Sequence, residues 1–284
     1  MFTIVSKRYL SPAITEMKVL APRVAASAQP GQFVIVRTDE VGERIPLTIC
    51  DYDREAGTVT IVTQSVGISS TKINDMNEGD AFADFAGPLG RPSDLLEIPV
   101  EELRKMNILF VAGGVGTAPV YPQAKWLKEQ GVTADVIIGA RTRDLFTYVD
   151  EMQQVANVHL ATDDGSAGYH GMVTGLIKEL IENQGKHYDR CVIIGPMIMM
   201  KFASLATKEY QIPTVVSLNA LMVDGTGMCG ACRVTVDGQT RFTCVDGPEF
   251  DAHKVDFDEA MRRQNMYRNN VKTNPETHKC HCNG

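Results

Sequence analysis

The sequence predicts a β-barrel followed by an α/β unit: an N-terminal antiparallel barrel, a Rossmann-like parallel sheet, and a small C-terminal metal-binding lobe. Three observations predict this. Residues 1–98 alternate short β-branched runs with turn signals, and from Met106 the texture changes to strand, glycine loop, helix, strand. Beyond residue 216 a glycine-rich loop carries Cys229 and Cys232, with Cys244 further on. The expected divisions are residues 1–98, 99–215, 216–250 and a tail of 251–284.

Composition narrows what such a chain can do. Its 284 residues, 44% hydrophobic and 22% charged, suffice to bury a core in each of two or three modest domains. A formal net charge of −7 and the lack of a Lys/Arg-rich block argue against a nucleic-acid partner. No apolar run reaches the roughly 20 residues that span a bilayer, so no membrane role is expected of the chain alone. Seven cysteines are sparse and odd in number for a disulfide framework, and without a secretory leader the expected location is cytoplasmic, in a reducing compartment. No internal repeat or low-complexity segment interrupts the pattern.

In the barrel region, Thr3-Ile4-Val5-Ser6, Gln32-Phe33-Val34-Ile35-Val36 and Thr58-Val59-Thr60-Ile61-Val62 read as strands, with turns at Pro30-Gly31 and Glu55-Ala56-Gly57. Two segments there suit a flavin. In Glu43 to Ile49, Pro46 and Leu47 can flank an isoalloxazine ring and Thr48 can hydrogen-bond near its redox nitrogens, with Arg44 and the strand residue Val62 counted in the same set. In Gln64 to Thr71, the residues Gly67, Ser70 and Thr71 fall at an expected helix N-terminus, where backbone N–H groups favour a pyrophosphate. Taken alone, Arg44-x-Pro46-x-Thr48 suits an ordinary strand edge equally well.

Residues 107–112 read as a buried strand, Gly113 to Pro119 as a glycine loop, and the stretch around Trp126 as a helix. Further apolar strands at 135–139, 158–162 and 191–195 are spaced for crossover connections, which predicts a parallel sheet. Gly114, Gly116, Thr117, Ala118 and Pro119 can let a cofactor pyrophosphate approach the backbone, although Pro119 stands where the dinucleotide pattern has its third glycine. Gly139, Arg141, Asp163, Gly165, Gly195 and Met197 lie at expected carboxyl ends of strands, where such sheets bind ligands. Arg141 suits a phosphate, and Asp163 or Asp164 a hydroxyl or amide; each also reads as a solvated loop charge. Arg143 is followed at once by Asp144, leaving no basic pair for a 2′-phosphate, so NAD(H) is favoured over NADP(H).

The last lobe carries the most specific signal. Cys229, Cys232 and Cys244 are spaced C-x2-C-x11-C, and the plant-type iron-sulfur spacing asks for a first ligand where Asp224 stands. Gly225, Gly227 and Gly230 allow the tight loop that aims N–H groups at cluster sulfurs. A zinc site of three cysteines and an oxygen donor is the competing reading, and Asp224 can also be a bystander beside another fourth ligand. The tail reads as a charged helix through Met261-Arg262-Arg263, then a segment with His278, Cys280, His281 and Cys282 that suits a subunit-contact arm better than a metal site. Met197 to Met200 read as helix start and core, and Cys50 and Cys191 as buried thiols.

The order of these modules carries a resemblance. On Arg44-Ile45-Pro46-Leu47-Thr48, Gly114 to Pro119, Thr162-Asp163-Asp164-Gly165-Ser166, Ile194 to Met200 and Ser217 to Met222 leading into the Asp224 loop, nearly the whole chain resembles the ferredoxin-NADP+ reductase superfamily. Within it, the chain is similar to the electron-transfer subunits of type B dihydroorotate dehydrogenase and of electron-bifurcating transhydrogenases. The superfamily's flavin motif is Arg-x-Tyr-Ser/Thr; here Leu47 stands at the tyrosine place, Ile45 at the arginine place, and Arg44 one residue early. Asp224 as first ligand matches the bifurcating branch.

The resemblance implies FAD, NAD(H) and a [2Fe-2S] cluster held by Asp224, Cys229, Cys232 and Cys244. It implies hydride exchange between nicotinamide and flavin, then single-electron transfer to a larger partner subunit carrying a flavin and [4Fe-4S] clusters. Through that heterodimer it implies coupling to ferredoxin and NADP(H). Other hosts with the same parts are dihydroorotate dehydrogenase B, hydrogenase and sulfide dehydrogenase complexes; a zinc-containing binding module is the non-enzymatic alternative.

Overall fold

The computed structural model describes residues 2–266. The chain first forms β1 (Phe2–Ser11), β2 (Ile14–Leu20), α1 (Pro22–Ser27), β3 (Phe33–Arg37), β4 (Ile45–Asp53), β5 (Thr58–Gln64), α2 (Ile68–Asp75), β6 (Ala81–Phe82) and β7 (Asp84–Leu89). The strands pair antiparallel in the order β6-β1-β2-β5-β4-β3-β7. Only Ala83 separates β6 from β7, the two ends of that order, so the sheet must curl until its edges nearly meet. Period-2 alternation puts Met17 and Val19, Val34 and Val36, and Val59 and Ile61 inside one barrel core.

The second unit contains α3 (Val100–Leu103), β8 (Ile108–Gly113), α4 (Thr117–Glu129), β9 (Asp135–Ala140), α5 (Val149–Val155), β10 (Asn157–Thr162), β11 (Tyr169–His170), α6 (Val173–Lys178), β12 (Arg190–Ile194), α7 (Met197–Glu209) and β13 (Thr214–Ser217). These strands run parallel in the order β11-β10-β9-β8-β12-β13. Both faces are covered, which explains the unbroken apolar runs. Phe110 and Ala112 join a core with Val120 and Leu127 of α4, while Leu109 and Val111 join one with Met200 and Ala203 of α7. Met197 begins α7 and is buried, as is Met200. Cys50 and Cys191 are also fully buried.

The remaining elements are β14 (Arg233–Val236), β15 (Gln239–Phe242), α8 (Thr243–Asp246), β16 (Glu249–Asp251) and α9 (Phe257–Gln264). The β14–β15 hairpin turns on Asp237 and Gly238, both with positive φ, the signature of an Asp-Gly turn. Strand β16 then pairs antiparallel with β13, returning the chain to the parallel sheet. Helix α9 is capped by the Asp256 carboxylate, which accepts from the Glu259 N–H, and buries Phe257 and Ala260 in the sheet's core. The residues expected to form a contact arm, including His278, Cys280, His281 and Cys282, lie outside the described residues. No described helix is long and apolar enough to cross a membrane.

The three regions meet at Glu249. Its Oε1 accepts from Gln123 of α4 at 2.7 Å, and the Ser93 hydroxyl donates to Gln123 at 3.1 Å, while Glu249 Oε2 is buried without a geometrically defined hydrogen bond among the described residues. Burial, with the Asp94 carboxylate nearby, pushes the Glu249 carboxyl up from 4.5 to about 7. A raised folded-state pKa stabilises the protein through the proton it keeps. That contribution is full below about pH 4.5 and is lost as pH rises through 7. Glu249→Gln is therefore expected to be as stable as the parent near pH 5 and more stable near pH 8, by up to about 3 kcal/mol. Urea unfolding of both proteins across that range measures the difference.

Candidate functional site

At the carboxyl end of the parallel sheet, strand order reverses between β8 and β12, the usual crevice for a nucleotide. Gly113 ends β8, Gly114 to Gly116 form one tight turn, and α4 starts at Thr117. Pro119 therefore sits in the first turn of a helix, where its missing N–H leaves no bond unmade. The glycines have different tasks. A Cβ on Gly116 would lie 2.3 Å from the Ile194 carbonyl oxygen, and one on Gly195 would lie 3.1 Å from the Gly113 nitrogen, so these let β8 and β12 approach closely. Gly114 has φ +55° and open space where a Cβ would be. The Thr117 hydroxyl donates to the Gly114 carbonyl at 3.0 Å and holds this turn open.

The other strand-end candidates divide similarly. Gly139 packs against Val173 and Gly165 against His170, so both serve close packing. Arg141 and Asp163 are exposed at the ends of β9 and β10. Asp164 is committed to the turn, accepting from the Ser166 N–H and hydroxyl, and the Ser166 hydroxyl in turn accepts from the Arg143 N–H. Met197 is buried in the sheet's core and also lines a cavity beside the cysteine loop.

In the barrel, Pro46 and Thr48 of β4 stand opposite Ile35 and Phe33 of β3. Alternation puts these four on one face, while Leu47 opposes Val34 and rests against the barrel core. Val62 is buried with Ile14, Cys50, Ala118 and Tyr148, so the start of α4 lies directly on β4 and β5. Gly67 precedes α2, with nothing within 4 Å of the position a Cβ would take. Ser70 caps that helix: its hydroxyl oxygen accepts from the Val66 N–H at 2.9 Å and the Gly67 N–H at 3.0 Å. Thr71 is exposed one residue on. Arg44 is turned to another partner, donating to the Val223 carbonyl at 2.8 Å and pairing with Asp84 at 3.3 Å.

The cysteine loop packs against this same barrel face, at Phe33 and Ile35. Phe33 and Ile35 share a buried cluster with Met222, Cys232 and Cys244, and a Cβ on Gly225 would lie 2.7 Å from Ile35. Cys232 and Cys244 form a buried pair with sulfurs 3.3 Å apart, and burial beside Cys232 pushes the Cys244 thiol up to about 12. Cys229 is exposed on the loop. Asp224 accepts the N–H of Thr226 and of Cys229, both at 3.0 Å, and these bonds hold its carboxyl below the usual range. Gly225, Gly227 and Gly230 all have positive φ, as the tight loop requires. The four expected ligands are thus near one another in chain and space, yet among the described residues no three are gathered at metal-binding distance. Two converging thiols, a third on the same loop and a carboxylate beside it suit an iron-sulfur cluster in donor chemistry.

Sequence reasoning missed several residues that hold these parts together. Arg8 pairs with Glu16 at 2.9 Å and Glu151 at 2.7 Å, the Tyr148 hydroxyl donates to Glu16, and Lys125 pairs with Asp51 at 2.9 Å, joining barrel to sheet. Arg263 and Gln264 reach the cysteine loop. No local pattern marks them; only Tyr148, an αL residue starting α5, has a backbone signal, and that is not visible in sequence.

A family model described as the iron-sulfur cluster binding domain of dihydroorotate dehydrogenase B matches residues 219–256. The chain is 45% identical to the dihydroorotate dehydrogenase B (NAD(+)) electron transfer subunit homolog of Thermotoga maritima, covering 96% of this chain and 94% of that one. The chain belongs to the dihydroorotate dehydrogenase B electron transfer subunit family. The chain is also 59% identical to an uncharacterized protein of Clostridium beijerinckii, over 94% of this chain and 91% of that one. A solved structure of an NADH-dependent reduced ferredoxin-NADP oxidoreductase, described for flavin-based electron bifurcation, superposes with a TM-score of 0.87 at 44% identity. That match covers 95% of this chain and 94% of the other. The resemblance read from the Asp224 loop and its companion motifs thus extends to the whole chain. The reductase-like fold and iron-sulfur domain support FAD, NAD(H) and a [2Fe-2S] cluster as cofactors of an oxidoreductase-type electron-transfer subunit.

Proposed function

We propose that this electron-transfer subunit works in a heterodimer: it exchanges hydride between NAD(H) and FAD and passes single electrons through its cluster to a larger flavin and [4Fe-4S] subunit. The reading extends to bifurcating transhydrogenation, coupling NADH to NADP(H) and ferredoxin in the cytoplasm, by analogy with the similar oxidoreductase. One observation carries it: a single barrel is in contact with both the glycine crevice and the cysteine loop. Val115 and Ala118 pack on the Cys50 and Val62 side, while Cys232 and Cys244 pack on Phe33 and Ile35.

FAD, when bound, takes electrons in pairs and gives them singly, which joins a nicotinamide to an iron-sulfur centre. Pro46 and Thr48 present the face of β4 on which its ring is placed in this reading, with Leu47 supporting that strand from the core side and Val62 closing the end towards α4. Gly67, Ser70 and Thr71 at the start of α2 bind its pyrophosphate. Gly114, Gly116, Thr117, Ala118 and Pro119, with Gly195 opposite, bind the pyrophosphate of NAD(H); Gly139 and Gly165 shape the neighbouring strand ends, and Arg141 and Asp163 contact its adenosine half. Asp224, Cys229, Cys232 and Cys244 hold the cluster. Arg44 ties the cluster loop to the barrel, and Met197 packs beneath it. No general acid or base is assigned, since hydride passes directly.

Anaerobic purification with metal analysis and visible spectra tests this. The expected protein contains flavin and about two irons per chain, and NADH bleaches it. Absence of flavin, or zinc in place of iron, defeats the proposal. Asp224→Cys and Asp224→Ala are expected to change the cluster's EPR spectrum and potential, because carboxylate oxygen is a harder donor than thiolate. Unchanged spectra in both variants remove Asp224 from the ligand set. Identification of the co-purifying subunit separates the bifurcating assembly from dihydroorotate dehydrogenase, hydrogenase or sulfide dehydrogenase partners.

A further inference from the structure

Helix α9 begins immediately after the matched iron-sulfur segment ends at residue 256. Its last turn nevertheless reaches back to that segment. Arg263 Nη2 donates to the Ala231 carbonyl, inside the Cys229-x2-Cys232 turn, at 3.1 Å, and Gln264 Nε2 donates to the Asn219 carbonyl at 3.3 Å. The two contacts hold the loop at its start and at its centre. Both side chains line a cavity of about 260 Å³ that includes Cys229, Gly230, Ala231 and Arg233.

Arg263 is half-buried, and it forms no ion pair with a carboxylate among the described residues. Withdrawing a guanidinium from water without a carboxylate is costly, so such a charge marks a place where negative charge is otherwise supplied. The neighbouring ligand set is anionic whenever its thiols and carboxylate bind metal. We propose that Arg263 is a positioning residue for the iron-sulfur centre: it fixes the Ala231 carbonyl within the ligand turn, and its charge favours the reduced cluster. Helix α9 is then a working part of the lobe. This rests on the cluster assignment above. Because the hydrogen bond and the charge are separable, they have separate signatures: Lys keeps the charge but loses the planar fork, and Gln keeps a donor but loses the charge.

The test uses the full-length holoprotein, with Arg263→Gln and Arg263→Lys compared with the parent by EPR-monitored redox titration and by iron release to a chelator. Arg263→Gln is expected to lower the cluster potential by the equivalent of about a tenfold change in the reduction equilibrium, about 59 mV for one electron. Arg263→Lys is expected to stay within about twofold of the parent in that equilibrium while releasing iron several-fold faster. If Arg263→Gln fails to fold, Arg263→Lys decides alone: iron release at the parent's rate overturns the positioning role. Equal potentials in parent and Arg263→Gln overturn the charge effect. A parent protein without a two-iron cluster instead overturns the cluster assignment itself, which keeps the two failures distinct.

Discussion

Replacing either Cys232 or Cys244 by serine is expected to abolish the cluster signal while leaving the flavin spectrum in place. The two thiols are a buried pair, each 1% exposed, with sulfurs 3.3 Å apart, on the part of the lobe seated against the barrel. A serine hydroxyl is a poor, hard ligand for iron, and water cannot readily reach this site to replace the lost thiolate. Cys229→Ser, by contrast, alters an exposed loop position and is expected to leave a partly loaded, labile centre. Iron per chain and EPR of the reduced proteins measure this order. The barrel and sheet have cores of their own, so flavin content is expected to stay close to the parent's, and NADH is still expected to bleach the flavin. Iron content in Cys232→Ser and Cys244→Ser equal to the parent's removes these residues from the ligand set.

Gly116→Ala is expected to destabilise the nucleotide-binding unit by at least about 3 kcal/mol, the upper range for forcing an atom into packed space. The new Cβ would lie 2.3 Å from the Ile194 oxygen and 2.8 Å from its carbon, and both belong to the backbone of a central strand that cannot swing aside. Gly114→Ala separates folding from binding. Its φ of +55° costs about 1 kcal/mol for alanine, but nothing lies within 4 Å of the new atom. The fold is therefore expected to survive. NADH affinity, read from flavin bleaching, is expected to fall about tenfold or more if a pyrophosphate passes over this turn. Thermal unfolding and NADH titration of the two variants check both halves, and a Gly116→Ala protein as stable as Gly114→Ala contradicts the packing argument.

The barrel was legible because its strands obey a two-residue period, and the sheet because unbroken apolar runs such as Ile108 to Ala112 require cover on both faces. The cysteine spacing marked the cluster lobe for the same local reason: a loop that folds around metal carries its ligands and glycines within a short stretch. Other assignments depended on directions that spacing does not encode. Leu47 rests against the core because it opposes Val34, and Gly139 is glycine because Val173 lies over it. Nothing local in the sequence marks Glu249, whose raised carboxyl pKa arises from burial and from Asp94, far away in the chain.

By itself, the sequence determined the kinds of element, the two glycine turns that suit pyrophosphates, and the four-residue set that suits iron. Those features are local, set by periodicity, backbone freedom and donor chemistry within a few residues. Only the tertiary structure decided that one barrel touches both the glycine crevice and the cysteine loop, that Arg44 grips Val223 across 179 residues, and that α9 closes on Ala231. These are contacts between distant segments, chosen by which buried surfaces and unpaired polar groups satisfy one another once the chain is compact.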